Sequence, residues 1–123
     1  MPFFERREYC AGSVLFRRGD AAEAFYLLQT GILRAKYHLP TGYYHESIVA
    51  GTTCGELPFF SSTLRTATVA AEMDSVAWRL DQEGWDKMQK DWPEGSRELL
   101  KVALRLTKER VDAVTGYVLM TAG

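Results

Sequence analysis

Between Ser13 and Leu80 the chain alternates short apolar runs with glycine, proline or charged breaks, the spacing of an all-β sandwich or barrel. The runs are residues 13–16, 25–29, 32–38, 43–49, 67–71 and 76–80. Breaks fall at Gly19-Asp20, Thr30-Gly31, Pro40-Thr41-Gly42, Gly51 and Met73-Asp74. Proline fixes one backbone angle and glycine supplies a positive one, so Pro40-Thr41-Gly42 predicts a hairpin turn flanked by His38 and His45. After Leu80 the period changes. Asp81 reads as the N-cap of a short helix reaching about Lys90, and Pro93 suits the first turn of a second helix. In that second segment Leu100, Ala103, Leu104, Val111, Val114 and Val118 recur at spacings of three, four and seven, one apolar face of an amphipathic helix. Gly116 weakens it near the end. Leu99, Leu106, Ala113, Tyr117 and Met120 widen the face beyond one docking stripe, so part of it is expected to cover a pocket or to form a homodimer seam. Neither repeat nor linker divides the chain, which predicts one domain over residues 1–123, with the β part at about 10–80 and the helices at about 81–120.

Composition narrows the class. At 123 residues, 46% apolar and 25% charged, the chain has the profile of one ordinary soluble domain. Fifteen basic and 16 acidic residues leave a net charge of -1, too little positive field to hold a nucleic acid, so any bound anion must be met by local charges. No apolar run approaches the roughly 20 residues of a membrane span, and the first ten residues, MPFFERREYC, carry four charges where a signal peptide is apolar. The expected location is the cytosol or the cytosolic face of a membrane, without direct insertion. Cys10 and Cys54, outside any C-x-x-C pattern, read as free thiols. The basic cluster Arg6, Arg7, Arg17 and Arg18 is largely cancelled by Glu5, Glu8 and Asp20. His38, His45 and Glu46 are too few for a typical metal site, and no cofactor is expected. No Ser-His-Asp set, P-loop or carboxylate pair with a defined role predicts an enzyme. Tyr37, Tyr43, Tyr44, Trp78, Trp85 and Trp92 read as packing.

Residues 51–69, GTTCGELPFFSSTLRTATV, carry the candidate chemistry. Gly55, Glu56, Leu57, Phe59, Phe60, Arg65, Ala67, Thr68 and Val69 make this segment resemble the phosphate-binding cassette of the cyclic-nucleotide-binding domain family. Residues 14–20, VLFRRGD, and Phe25-Tyr26 through Gly31 resemble that family's strand signatures in the expected order, so the resemblance covers about residues 3–118. It implies a mainly β fold, an antiparallel eight-stranded β-roll (jelly roll, or double-stranded β-helix) with C-terminal helices. It also implies a non-catalytic sensor of cyclic AMP or cyclic GMP, with Gly55, Glu56, Leu57, Arg65, Thr66 and Ala67 at the phosphate and ribose. The last helix is implied to move on binding, with Arg110, Tyr117 or Met120 as contacts.

The chemistry suits each partner. An arginine meets a phosphate with a two-pronged, charge-assisted hydrogen bond. Glu56 can accept from a ribose hydroxyl, Gly55 admits close backbone approach, and a helix opening near Glu56 turns free N–H groups toward an anion. Thr66 adds an N–H and a hydroxyl. The bland alternative pairs Glu56 with Arg65 and binds nothing. Two residues depart from the family pattern. Pro58 lacks the N–H that a small residue supplies there, a loss of about tenfold to a hundredfold in affinity. Leu64 replaces the usual proline, which should loosen the loop that aims Arg65. Residues 46–61 with 65–69 are also similar to the cyclic-nucleotide-binding-like domain of fungal sulfate-permease (SulP) transporters, which implies further domains in a longer parent protein.

Overall fold

The computed structural model describes residues 3–122. In chain order the elements are β1 (Glu5–Tyr9), β2 (Val14–Phe16), β3 (Ala24–Thr30), β4 (Ile32–Leu39), β5 (Gly42–Val49), β6 (Thr53–Cys54), α1 (Glu56–Ser61), β7 (Ala67–Ala71), β8 (Ser75–Asp81), α2 (Gln82–Asp91) and α3 (Pro93–Ala122). Two four-stranded antiparallel sheets form, ordered β1-β8-β3-β6 and β2-β7-β4-β5. Eight strands followed by helices are the expected β-roll.

Strand periodicity explains where the two cores lie. Successive side chains on a strand face opposite ways. Tyr26 and Leu28 of β3 therefore join Leu33, Ala35, Ile48, Val69 and Ala77 between the sheets. Phe25, from the other face of β3, packs with Phe59, Leu80, Trp85 and Met88 beneath the helices. Both faces of β3 are covered, which is why its apolar run is nearly continuous.

Six strands coincide with the six apolar runs to within two residues at each end. Two strands have no such signal. Strand β1 reads ERREY, with four exposed residues, and pairs with β8 at the edge of its sheet from Glu5↔Arg79 to Tyr9↔Ser75. Charges suit an exposed edge, because they discourage further strand pairing. The roll therefore starts ahead of residue 10, the start expected for it. Strand β6 is two residues long.

The turns follow the residues that make them. Gly31, at φ 96°, joins β3 to β4 where an added Cβ would stand 2.1 Å from Ser75 Oγ. The β4–β5 hairpin turns at Pro40-Thr41, with Leu39 opposite Gly42. His38 lies opposite Tyr43, ring centres 4.8 Å apart, while His45 lies opposite Lys36 and its Nδ1 accepts from Arg34 Nε at 3.1 Å. Asp81 caps α2 by accepting from the Gly84 N–H at 2.8 Å, and Pro93 opens α3.

Helix α3 departs from expectation in part. Its start is docked: Ser96 and Ala103 are buried, and Leu99 and Leu100 pack on the Phe59–Trp85 core. Of the expected apolar face, Leu100 and Ala103 dock and Val111 and Val114 line a cavity, whereas Leu104 is 58% exposed. No described residue of α3 beyond Ala103 is fully buried, although Arg110 and several apolar neighbours are partly so. No helix among the described residues is long and apolar enough to cross a membrane.

Candidate functional site

Arg65 sits just before β7, at the end of the loop that follows α1. Its backbone is tied to the turn before β3: the Arg65 N–H donates to the Asp20 carbonyl at 2.8 Å, and the Gly19 N–H donates to the Arg65 carbonyl at 2.9 Å. An isolated bridge between Ala21 and Leu64 adds a third link. Long-range backbone pairing thus restrains the loop where Leu64 stands in place of proline.

The Arg65 side chain runs inward and is 4% exposed. Its Nη1 donates to the Gly55 carbonyl at 2.8 Å, and its Nη2 donates to the Ala24 carbonyl. The guanidinium carbon lies 3.9 Å from the centre of the Phe16 ring, a cation–π contact. Gly55 makes this possible: at φ 76° it opens α1, and a Cβ there would stand 2.4 Å from Arg65 Nη1. Arg65 Nε is buried and has no partner, and among the described residues no carboxylate forms an ion pair with Arg65. Burial holds the guanidinium below its ordinary pKa.

Glu56, the first residue of α1, is 3% exposed and does not pair with Arg65. Its Oε1 accepts from Thr107 Oγ1 at 3.0 Å and from Arg110 Nη1, both on α3. Arg110 Nε also donates to Glu46 Oε1 at 3.1 Å, and Nη2 donates to the Thr53 carbonyl. Burial opposes the charge on Arg110, but Glu56 and Glu46 outweigh it and hold the guanidinium above its ordinary pKa. Burial pushes the Glu46 carboxyl up, and Arg110 offsets this only in part. Oε2 of Glu56, Oε2 of Glu46 and Oγ1 of Thr53 are buried without partners.

A cavity of about 330 Å³ brings Arg65, Glu56, Thr107 and Arg110 together. All six expected residues, Gly55, Glu56, Leu57, Arg65, Thr66 and Ala67, line it, as does Pro58. Phe16, Ala35, Ile48 and Val69 of the roll and Thr107, Arg110, Val111 and Val114 of α3 complete much of the wall. Cys54 also faces it, with its thiol pushed by burial up to about 12. Of the three candidate contacts from α3, Arg110 reaches the site, Tyr117 packs its ring 4.8 Å from that of Tyr44, and Met120 is 86% exposed. Phe16, Thr53 and Thr107 carried no signal as single residues. Thr107 and Arg110 did carry one as a pair, since both fall on the helical face that includes Ala103, Val114 and Tyr117, where polar side chains need a buried partner.

Among proteins of known sequence, the chain is 29% identical over 124 residues to the vacuolar basic amino acid transporter VSB1 of Saccharomyces cerevisiae, a match covering 98% of this chain and 12% of that one. It is 29% identical over 101 residues to the cAMP-dependent protein kinase regulatory subunit of Blastocladiella emersonii, covering 80% of this chain and 25% of that one. The chain thus spans a minor part of the length of these relatives. Among solved structures, a cyclic nucleotide-binding domain from Methylobacillus flagellatus superposes with a TM-score of 0.87 at 18% identity, covering 98% of this chain and 68% of that one. The cyclic nucleotide-binding domain family model matches residues 6–91, most of the roll together with α2, and the chain belongs to that family.

Proposed function

We propose that this domain senses a cyclic nucleotide, cyclic AMP or cyclic GMP, with the phosphate on Arg65 and the ribose hydroxyl on Glu56, and transmits occupancy through α3. The observation that carries the reading is Arg65: a buried cation on a cavity wall, with one N–H unpartnered and no anion to neutralise it. Burying an unpaired charge is costly, and a phosphate would supply both the counter-charge and an acceptor for Nε. Leu57, Thr66 and Ala67 lie on the same wall, and Phe16, Ile48, Val69 and Val114 offer apolar surface for a flat base. The volume lies at the lower end of the roughly 300–1,000 Å³ usual for small-molecule sites. A ligand that favours one placement of α3 would shift the helix by its difference in affinity between the two placements.

A second reading, a ligand-free interaction module with a degenerate pocket, draws on Pro58, which offers no N–H at the start of α1. Titration calorimetry with cyclic AMP and cyclic GMP separates the two. The sensor reading expects heat that Arg65→Ala abolishes. No heat with either nucleotide up to millimolar concentration leaves the interaction module.

We also propose that the domain serves a longer protein of transporter type, on its cytosolic side. The relative named as a vacuolar transporter supports that context. It is named for basic amino acids, so the transporter class, rather than the sulfate-permease resemblance, is the part carried forward.

A further inference from the structure

The residue that would recognise a ribose already has an occupant from within the chain. Glu56 Oε1 takes two hydrogen bonds from α3, one from Thr107 and one from Arg110, and Oε2 is shut away from solvent. A hydroxyl arriving in the cavity meets no free acceptor on this carboxylate. Arg110 is held by three elements at once: Glu46 of β5, the Thr53 carbonyl of β6 and Glu56 of α1. One guanidinium spread over two carboxylates and a carbonyl, with side chains 17%, 16% and 4% exposed for Arg110, Glu46 and Glu56, is a built socket and not a chance surface pair. Beyond Ala103 the described apolar side chains of α3 are half-buried or exposed, so the Arg110 socket is the most deeply enclosed contact on this part of the helix.

We infer that Arg110 is an internal latch: by seating in the Glu46–Thr53–Glu56 socket it closes α3 over the cavity and excludes any ligand that needs Glu56. The inference deepens the sensor reading and rests on it for the identity of that ligand. Binding and latching compete for one carboxylate, so the observed affinity is the intrinsic affinity reduced by the fraction of molecules whose latch is open. Glu46 then has a role of its own. It shares the charge of Arg110 and strengthens the closed state while standing on a strand outside the phosphate cassette.

Two measurements test the latch, one needing no nucleotide. Cys54 faces the cavity and is buried, whereas Cys10 is exposed. In a Cys10→Ser background, the rate of maleimide alkylation at Cys54 reports opening of α3. Arg110→Met is expected to raise that rate at least tenfold, and Glu46→Gln, which keeps an acceptor for Arg110 Nε, to raise it less. An unchanged rate in both variants, with circular dichroism showing both folded, overturns the latch. If Arg110→Met does not fold, Glu46→Gln decides alone. In the second measurement, calorimetric titration with cyclic AMP and cyclic GMP, Arg110→Met is expected to tighten binding by about tenfold or more, the usual scale of coupling between sites. Weaker binding by Arg110→Met than by the wild type overturns the latch and makes Arg110 a ligand contact. Faster alkylation with no nucleotide bound by either protein upholds the latch and removes the cyclic-nucleotide reading instead.

Discussion

The two ends of α3 are held by different physics. From Pro93 to Ala103 the helix is docked by burial: Leu99 and Leu100 pack against the core cluster that contains Phe59 and Trp85, and Ser96 and Ala103 are 5% and 1% exposed. From Leu104 onward the anchors include the hydrogen bond of Thr107 to Glu56, a polar socket around Arg110 and the ring contact of Tyr117 with Tyr44. Apolar burial is non-directional and is lost only by exposing area. A charged hydrogen-bond network is directional and can be exchanged for another partner of the same chemistry. Docking of the first kind sets where the helix is rooted, and docking of the second kind sets where its distal part rests.

Substitutions at the two ends should therefore differ in size and in kind. Trp85→Ala should have the largest effect, destabilising the domain by about 3–5 kcal/mol through a cavity at the root of α3, as read by denaturant unfolding. A loss below about 1 kcal/mol would break the contrast. Next, Pro58→Ala restores an N–H at α1 and should tighten cyclic-nucleotide binding by about tenfold to a hundredfold with the fold intact. Unchanged affinity would place the weakness of the site at the latch rather than at the missing donor. A smaller effect concerns pH. Burial raises the Glu46 carboxyl above its usual 4.5, so the folded state holds that proton more tightly than the unfolded state. Its contribution is fully present below about pH 4.5 and falls away as pH rises through the folded value. The stability of the wild type relative to Glu46→Gln should decline as pH climbs from about 4.5, measured by paired denaturant melts. A flat difference would mean that Glu46 carries no burial strain. Smallest of all, Leu119→Ala, on the exposed distal part of α3, should change stability by no more than about 0.5 kcal/mol. A loss of 2 kcal/mol would show that the distal part is docked after all.

Much of this was legible in the order of residues. Strands β3, β4 and β7 bury alternate or successive apolar side chains, so their runs stand out. Strand β1 was hidden because a sheet edge tolerates ERREY, where no face needs to be apolar. The cassette could be read because Gly55 through Ala67 lie in one stretch, and folding brings all six expected residues to one cavity. Arg110 could only be named among three candidates, since its partners Glu46, Thr53 and Glu56 come from three other elements. The restraint around Leu64 was hidden for the same reason: the backbone bonds of Arg65 run to Gly19 and Asp20, far away in sequence. For α3, spacing alone admitted more than one apolar face, and the helices it packs against, α2 and α1, decide which one docks.

Helix α3 has 30 residues, a rod roughly 45 Å long at about 1.5 Å per residue. Its last fully buried side chain among those described, Ala103, is where a moving α3 would pivot. Arg110 stands seven residues beyond that pivot and Ala122 nineteen, so a rigid swing that lifts Arg110 out of its socket carries the helix end roughly 2.7 times as far. In the sensor reading, exchange of a single hydrogen-bonding partner at Glu56 would thereby be geared up into a larger displacement at the far end of α3.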